Sequence, residues 1–391
     1  MNAVRRVLVA RVVLVLLVAG VLAEAPTPCV AEPAANWTLL QALAKSGDVR
    51  SPTFITPTRG WAVVGNRLLQ TNDGGQRWSV FLPAEWTSQL PRALSFADPS
   101  HGWAVGDGFV LATRDGGAHW SAQASSTAAG HDWTGVQALD SSRAFAVSSG
   151  GIVLGTDDSG TTWSVRADIA RGSLRALRFA DAAHGWAVGA NSSGRGLVLA
   201  TIDGGATWNA QTNPAEADLL AVWFTDATHG WAAGAAGVLR TCDGGATWSQ
   251  VGSPLGSLAA PGRASLAFVS ATHGFLGIEA RDDDGPCLWE TIDAGATWVP
   301  TPPIAERAGC NGLTVLDADH VLATGLSRPV LAALTTGHIW EWVATSAGGA
   351  HSTIPSVAPL RLTAATKRAT RGGPSRETPR AASSARHASC R

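Results

Sequence analysis

The sequence of 391 residues contains no tyrosine, one methionine and two lysines, Lys45 and Lys367. The lack of tyrosine excludes the ordinary sialidase mechanism, which uses a tyrosine nucleophile. With 29 basic and 30 acidic residues, the charge gives no general reason to expect nucleic acid or an anionic surface as partner. P-loop, dinucleotide-glycine, HExxH, CxxC and G-x-S-x-G motifs are also missing. We therefore assign no catalytic residue, cofactor or metal.

The most abundant feature is a turn motif, T-x-D-x-G-x-x-W, which occurs six times with successive Trp residues 40 to 50 positions apart. We call each copy an Asp turn. The aspartates are Asp73, Asp115, Asp158, Asp203, Asp243 and Asp293. An Asp side chain can accept hydrogen bonds from amides just downstream, and Gly can adopt the positive φ of a tight turn. These residues are therefore predicted to be structural.

A second motif, H-G-W-A-V-G, alternates with the Asp turns and occurs seven times in more or less altered form. Its copies span residues 59–65, 101–106, 142–147, 184–189, 229–234, 273–277 and 319–325. One copy of each motif makes up a repeat unit. Each unit is predicted to form four short strands, which we call a, b, c and d. Four strands every 40 to 50 residues predict an all-β, seven-bladed β-propeller of antiparallel blades over residues 36–345. The fourth strand of the last blade comes from the run at Trp37 or from the one at Trp340.

The two ends differ from the repeats. Arg5, Arg6 and Arg11 precede an apolar core and a small-x-small site, so residues 1–25 are predicted to be a cleaved signal peptide for periplasmic or extracellular export. The alternative is an uncleaved membrane anchor. Residues 346–391 are rich in Ala, Ser and Arg and are predicted to be a disordered basic tail. That tail is either a solvated appendage or an electrostatic contact to an anionic envelope polymer or lipid. It lacks interleaved aromatics, which argues against nucleic acid.

The alternation of the two motifs resembles the photosystem II stability and assembly factor family and, more loosely, the bacterial neuraminidase repeat (Asp-box) propellers. The resemblance covers about residues 36 to 345. It implies an exported seven-bladed propeller that binds a membrane or exported protein without doing chemistry. Related domains occur in bacteria without photosynthesis, so a photosystem role is not implied.

Arginines recur near one register of strand a, on the face of the propeller where the d–a loops meet the channel. They are Arg50, Arg92, Arg175, Arg263 and Arg307. Converging from several blades, they would form an anion-binding rim for a partner's carboxylates or for lipid headgroups. The resemblance implies an Arg-rich partner-binding face, which agrees with the predicted rim. The alternative is chance, because Arg is the common basic residue of this chain.

Two further readings concern cysteines and histidines. Cys287 and Cys310 fall on the same face of adjoining blades, so an exported chain could join them in a disulfide. The histidines at the turn between strands a and b are expected to stabilise that turn rather than bind metal. They are His101, His184, His229 and His273.

The alternative function is a carbohydrate-active propeller, which binds a glycan or hydrolyses it with inversion. Inverting hydrolysis needs two carboxyls across a cleft. The candidates are Asp48, Asp132 and Asp218, at the starts of strand a. Exposed aromatics such as Trp133 or Trp223 would stack on the sugar.

Overall fold

The computed structural model describes residues 37–42, 49–86, 90–123, 130–252, 262–278, 287–301, 309–317, 320–326 and 330–335. All of them lie in one compact unit. The predicted signal peptide, the predicted basic tail, Asp48, Arg307 and Trp340 lie outside these residues. No helix within the described part of the chain is long and apolar enough to cross a membrane.

The described chain is built almost entirely of short strands, with a single turn of 3-10 helix at Ala84–Trp86. The strands are β1 (Trp37–Ala42), β2 (Val49–Phe54), β3 (Gly60–Val64), β4 (Arg67–Thr71), β5 (Ser79–Phe81), β6 (Ala93–Phe96), β7 (Gly102–Gly106), β8 (Phe109–Thr113), β9 (Ser121–Ala122), β10 (Trp133–Ala138), β11 (Ala144–Ser148), β12 (Ile152–Thr156), β13 (Ser164–Asp168), β14 (Ser173–Phe179), β15 (Gly185–Ala190), β16 (Gly196–Thr201), β17 (Asn209–Gln211), β18 (Leu219–Phe224), β19 (Gly230–Gly234), β20 (Gly237–Thr241), β21 (Ser249–Gln250), β22 (Ala264–Phe268), β23 (Gly274–Ile278), β24 (Leu288–Thr291), β25 (Val299–Pro300), β26 (Gly309–Asp317), β27 (His320–Leu326) and β28 (Val330–Thr335).

These strands pair into four-stranded antiparallel sheets, as the repeat predicts. Six sheets are blades made of four consecutive strands, which we number blade 1 (β2–β5) to blade 6 (β22–β25). The other four strands pair in the order β26, β27, β28 and β1, and we call this the closing sheet. The prediction of an all-β propeller with four-stranded antiparallel blades is confirmed. Blades of consecutive strands number six, not seven, because the last repeat unit takes its fourth strand from the start of the chain.

The sheets are arranged around a central channel. The first strand of every sheet contacts the first strands of both neighbouring sheets, and this series of contacts returns from β26 to β2. The second strands of the six blades are buried along their whole length, whereas the fourth strands β5, β9, β21 and β25 are exposed. Strand a therefore lines the channel and strand d forms the outer rim.

Aromatic side chains join neighbouring blades. Trp231 of blade 5 stacks on Phe268 of blade 6, with ring centroids 3.7 Å apart and planes at 9°, and Trp298 meets Phe268 edge-on at 6.2 Å. Blades 1 and 2, and blades 4 and 5, repeat the face-to-face stack. The parallel partner of the strand-b Trp is therefore the strand-a Phe of the next blade.

The same Trp also bonds to the neighbouring blade through its indole N–H. Trp231 Nε1 donates to the Ala294 carbonyl at 2.8 Å, and Trp186 Nε1 donates to the Gly244 carbonyl at 3.0 Å. Both acceptors lie in the Asp turn of the next blade. By contrast, Trp103 Nε1 is buried without a partner. The second motif and the Asp turn are therefore two halves of one contact between blades.

Glycine is required in the second motif for a steric reason. A Cβ placed on Gly230 would lie 2.3 Å from the Phe224 ring, and one on Gly274 would lie 2.3 Å from the Phe268 ring. Both glycines pair with these Phe residues across strands a and b. Only a residue without a side chain leaves room for the Phe ring that carries the contact between blades.

Candidate arginine-lined site

A cavity of about 260 Å³ opens among the first strands of several blades. Its lining residues are Arg50, Ser51, Arg92, Thr134, Arg175, Leu220, Gly262, Arg263 and Ala264. Four of the five arginines singled out in the sequence therefore line one cavity. The fifth, Arg307, lies outside the described residues. The positions come from blades 1 to 6, so the propeller brings together residues that are far apart in the chain.

β-Bulges in strand a explain why these side chains line the cavity. The pairing of β14 with β15 shifts between Leu174 and Ala176, which makes Arg175 the extra residue. Thr134 and Leu220 are the extra residues of β10 and β18 in the same way. A bulge bends its strand and re-aims a side chain. The bulge in β2 includes Ser51, whose φ is +46°.

Two cavity arginines are paired with carboxylates. Arg92 bonds Asp107 through two atoms, with Nε–Oδ1 at 2.6 Å and Nη2–Oδ2 at 2.9 Å. Arg175 Nε lies 2.9 Å from Oδ2 of Asp218, which belongs to the next blade. The two Arg side chains remain 39% and 40% exposed. These ion pairs orient the guanidinium groups and leave part of each open to a ligand.

Hydrogen bonds also connect the cavity lining across blades. The Thr134 hydroxyl lies 2.9 Å from the carbonyl of Leu174 in blade 4, and the Ser51 hydroxyl lies 3.4 Å from the carbonyl of Arg92 in blade 2. Contacts of this kind hold the lining in one geometry. A preorganised set of donors loses less entropy when it binds an anion.

The carboxylates proposed for glycan hydrolysis do not share this cavity. Asp132 is exposed, Asp218 is paired with Arg175, and neither lines the cavity. The expectation of exposed aromatics is wrong for Trp133, which is fully buried because it packs between blades 2 and 3. Trp223 is covered by the Arg178 guanidinium, whose carbon lies 3.9 Å from the ring centroid. A sugar-binding platform is therefore missing at these two positions.

The Asp turns lie between strands c and d, on the outer rim. In blade 4, Asp203 accepts hydrogen bonds from the Thr207 hydroxyl at 2.6 Å, the Thr207 amide at 2.9 Å and the Thr201 hydroxyl at 2.7 Å. These bonds lower the pKa of Asp203 to about 2. The other five turns share the bond from the leading Thr hydroxyl to the Asp and that from the amide four residues after it. The aspartates thus hold the turns together.

Three of the four turn histidines are bound to their own turns. His101 Nδ1 lies 2.8 Å from Asp98 Oδ2, and His184 and His229 repeat this pairing with Asp181 and Asp226. In blade 6, His273 instead uses Nε2, which lies 2.8 Å from Glu290 Oε1. The described residues contain no group of three His, Cys, Asp or Glu side chains placed to hold a metal ion.

The structure holds Cys287 and Cys310 as free thiols, so the predicted disulfide is not formed in it. Cys242, in the Asp turn of blade 5, is disulfide-bonded.

Comparison with known proteins decides the family. The family model described as photosynthesis system II assembly factor YCF48 matches residues 31–178 and 172–257, more than half of the chain. This chain belongs to the YCF48 family. No curated protein sequence matches it.

Solved structures share the fold at low sequence identity. The structure titled "YCF48 bound to D1 peptide" is 22% identical with a TM-score of 0.61, and the match covers 80% of this chain and 99% of that one. YCF48 from Cyanidioschyzon merolae is 20% identical with a TM-score of 0.62, covering 78% and 99%. A GH74 xyloglucanase from Xanthomonas campestris is 12% identical with a TM-score of 0.57, covering 78% and 54%.

Sequence reasoning missed part of the cavity. Leu220 lies four residues before Phe224, the register of Arg50, Arg92 and Arg175, so the same rule could have found it. The carboxylates Asp107 and Asp218 gave no comparable signal, because their pairing with arginines depends on how the loops fold.

Proposed function

We propose that this YCF48-family protein is a non-catalytic binding module that uses its arginine-lined cavity to hold a carboxylate-bearing segment of a protein partner during assembly. The observation that carries this proposal is the convergence of Arg50, Arg92, Arg175 and Arg263 on one cavity. Guanidinium groups bind carboxylates through two parallel hydrogen bonds, which supply both affinity and orientation.

The size of the cavity favours a chain segment as ligand. A volume of about 260 Å³ lies just below the usual range of small-molecule sites and accommodates an acidic side chain or a chain end rather than a folded domain. A relative with the same fold has been solved with a bound D1 peptide. This supports a peptide as the kind of partner and leaves its identity open.

The proposal includes export, for which the support is the basic, apolar and small-residue pattern of residues 1–25. The non-catalytic role is supported by the absence of tyrosine and by the state of the hydrolase candidates. Asp218 is paired with Arg175, and Trp133 is buried.

A pull-down from an envelope extract of the source organism tests this function. The bait is the full chain, and the comparison is the variant R50A/R92A/R175A, which removes three of the four cavity arginines. The control R77A/R114A/R195A makes the same change of charge at arginines that do not line the cavity. We expect one membrane or exported protein to be recovered by the wild type and the control and lost with the cavity variant. Equal recovery by all three, or recovery of glycan alone, would refute the proposal.

A further inference from the structure

Two cysteines meet where blade 6 adjoins the closing sheet. Cys287 directly precedes β24, and Cys310 is the second residue of β26. Cys310 is 3% exposed and belongs to an apolar cluster with Phe275 and Leu288 of blade 6. Cys287 is partly buried and packs against the same cluster. The two thiols, which lie in different sheets, therefore share one apolar environment.

A short segment of β23 contacts both cysteines. A Cβ placed on Gly277 would lie 2.9 Å from the Cys310 sulfur, so the missing side chain of Gly277 makes room for that sulfur. The next residue, Ile278, donates its amide to the carbonyl of Cys287 at 2.9 Å. Two consecutive residues of one strand therefore lie next to the two cysteines, Gly277 at the sulfur of Cys310 and Ile278 at the backbone of Cys287.

Cys287 and Cys310 are free thiols in the structure. We propose that they form a disulfide that connects blade 6 to the closing sheet when the protein folds under oxidising conditions. Each thiol loses one proton and one electron as the S–S bond forms. The oxidant is a disulfide, either glutathione disulfide or the disulfide form of an exported thiol oxidoreductase. Its own S–S bond breaks, and it takes up both electrons and both protons to become two thiols. This site is separate from the arginine-lined cavity, and its test does not depend on partner binding.

The surroundings of the sulfurs determine when the bond can form. Burial raises the pKa of Cys287 to about 11 and raises that of Cys310 well above its usual value. Thiolate is the reacting species in disulfide exchange. Because little thiolate forms in the folded cluster at neutral pH, we expect the bond to form before the cluster closes. Burial then protects it from reductants.

The cross-link would stabilise the part of the molecule where the ring closes. Twenty-two residues lie between the two cysteines. A disulfide closing a loop of this size restricts the unfolded chain and raises Tm by roughly 5–10 °C in a protein of this length. It would hold the closing sheet, which contains both the first and the last described strands, to the adjoining blade.

Mass spectrometry of the full chain tests the bond directly. The protein is refolded in a glutathione redox buffer, unfolded in guanidinium chloride with an alkylating agent, and digested. We expect the peptides that contain Cys287 and Cys310 to be linked and not alkylated. Dithiothreitol should cleave this link in the unfolded protein and leave it intact in the folded one. Alkylation of both cysteines after refolding, or a link from either to a different cysteine, would overturn the proposal.

A thermal measurement provides the second readout. Reduction of the unfolded protein followed by refolding with reductant should lower the Tm of the wild type by roughly 5–10 °C. The same treatment should lower the Tm of C287A/C310A only by the share that comes from the disulfide of Cys242. The variant C242A measures the shift that remains without that disulfide. If C287A/C310A fails to fold, the wild-type digest decides the question. A shift in C287A/C310A as large as that of the wild type would contradict the proposal.

Discussion

At the scale of single residues, the stability that the Asp turns contribute to the fold should depend on pH. Three hydrogen bonds lower the pKa of Asp203 to about 2, from about 3.9 in an unfolded chain. A folded pKa below the unfolded one stabilises the fold at pH above the unfolded value, and this contribution is lost as the pH falls through the folded value.

We expect Asp203→Asn to lower the free energy of unfolding at pH 7 and at pH 5. The difference from wild type should shrink as the pH falls from about 4 to about 2, because protonation removes the charge from the wild-type carboxylate too. Urea denaturation at each pH measures it. Glu216→Gln is the charge-matched control, because Glu216 is 83% exposed and its ion pair with an arginine is long, at 3.7 Å. A difference independent of pH would show that the carboxylate charge is unimportant in this turn.

The Gly of the second motif provides another residue-scale test. Gly230→Ala would place a methyl group 2.3 Å from the Phe224 ring, so the ring or the strand must shift. We expect a loss of about 1–3 kcal/mol in the free energy of unfolding, measured by urea denaturation. Gly150→Ala is the control, because its nearest atoms would be 3.6 Å away and its φ is not positive. Similar stability of both variants would contradict the packing described here.

At the scale of elements, the hydrogen bond from Trp231 to the neighbouring Asp turn should contribute to the contact between blades. Trp231→Phe keeps an aromatic ring and leaves the carbonyl of Ala294 without this donor. Trp103→Phe removes a similar volume, but Trp103 Nε1 has no partner to lose. We expect Trp231→Phe to cost about 1–3 kcal/mol more than Trp103→Phe, in urea denaturation monitored by circular dichroism. Equal costs would mean that ring packing alone joins the blades.

The sequence predicted the elements better than the site, for physical reasons. Residues equivalent to Asp203 and Gly230 recur along the chain because the turns and the Phe contacts need them. The periodicity of the sequence therefore predicts them. The sequence predicts the position of Arg175 in strand a. It does not predict the bulge at Arg175, because a bulge depends on the pairing with β15. For Trp133 the prediction from sequence was wrong. A Trp at a strand start was expected to face a sugar, and it is buried between blades.

At the scale of the whole molecule, closure of the ring depends on β1, which pairs with β28 along its length. Removal of residues 1–42 should leave β28 as an unpaired edge, which favours aggregation. We expect the Tm to fall by roughly 5 °C or more and size-exclusion chromatography to show larger species. Removal of residues 1–36, which retains β1, is the control. Unchanged Tm and size in the longer truncation would mean that β1 does not contribute to closure.

The proposed function depends above all on carboxylate binding by the arginine-lined cavity. The most direct measurement is the fluorescence anisotropy of a labelled peptide with four consecutive glutamates, titrated with the full chain. We predict that R50A/R92A/R175A weakens binding by roughly tenfold or more, because the lost hydrogen bonds are charge-assisted. R77A/R114A/R195A should stay within about twofold of wild type, since exposed charges outside the cavity contribute little. Equal affinities of all three proteins, or no binding by the wild type, would contradict the account.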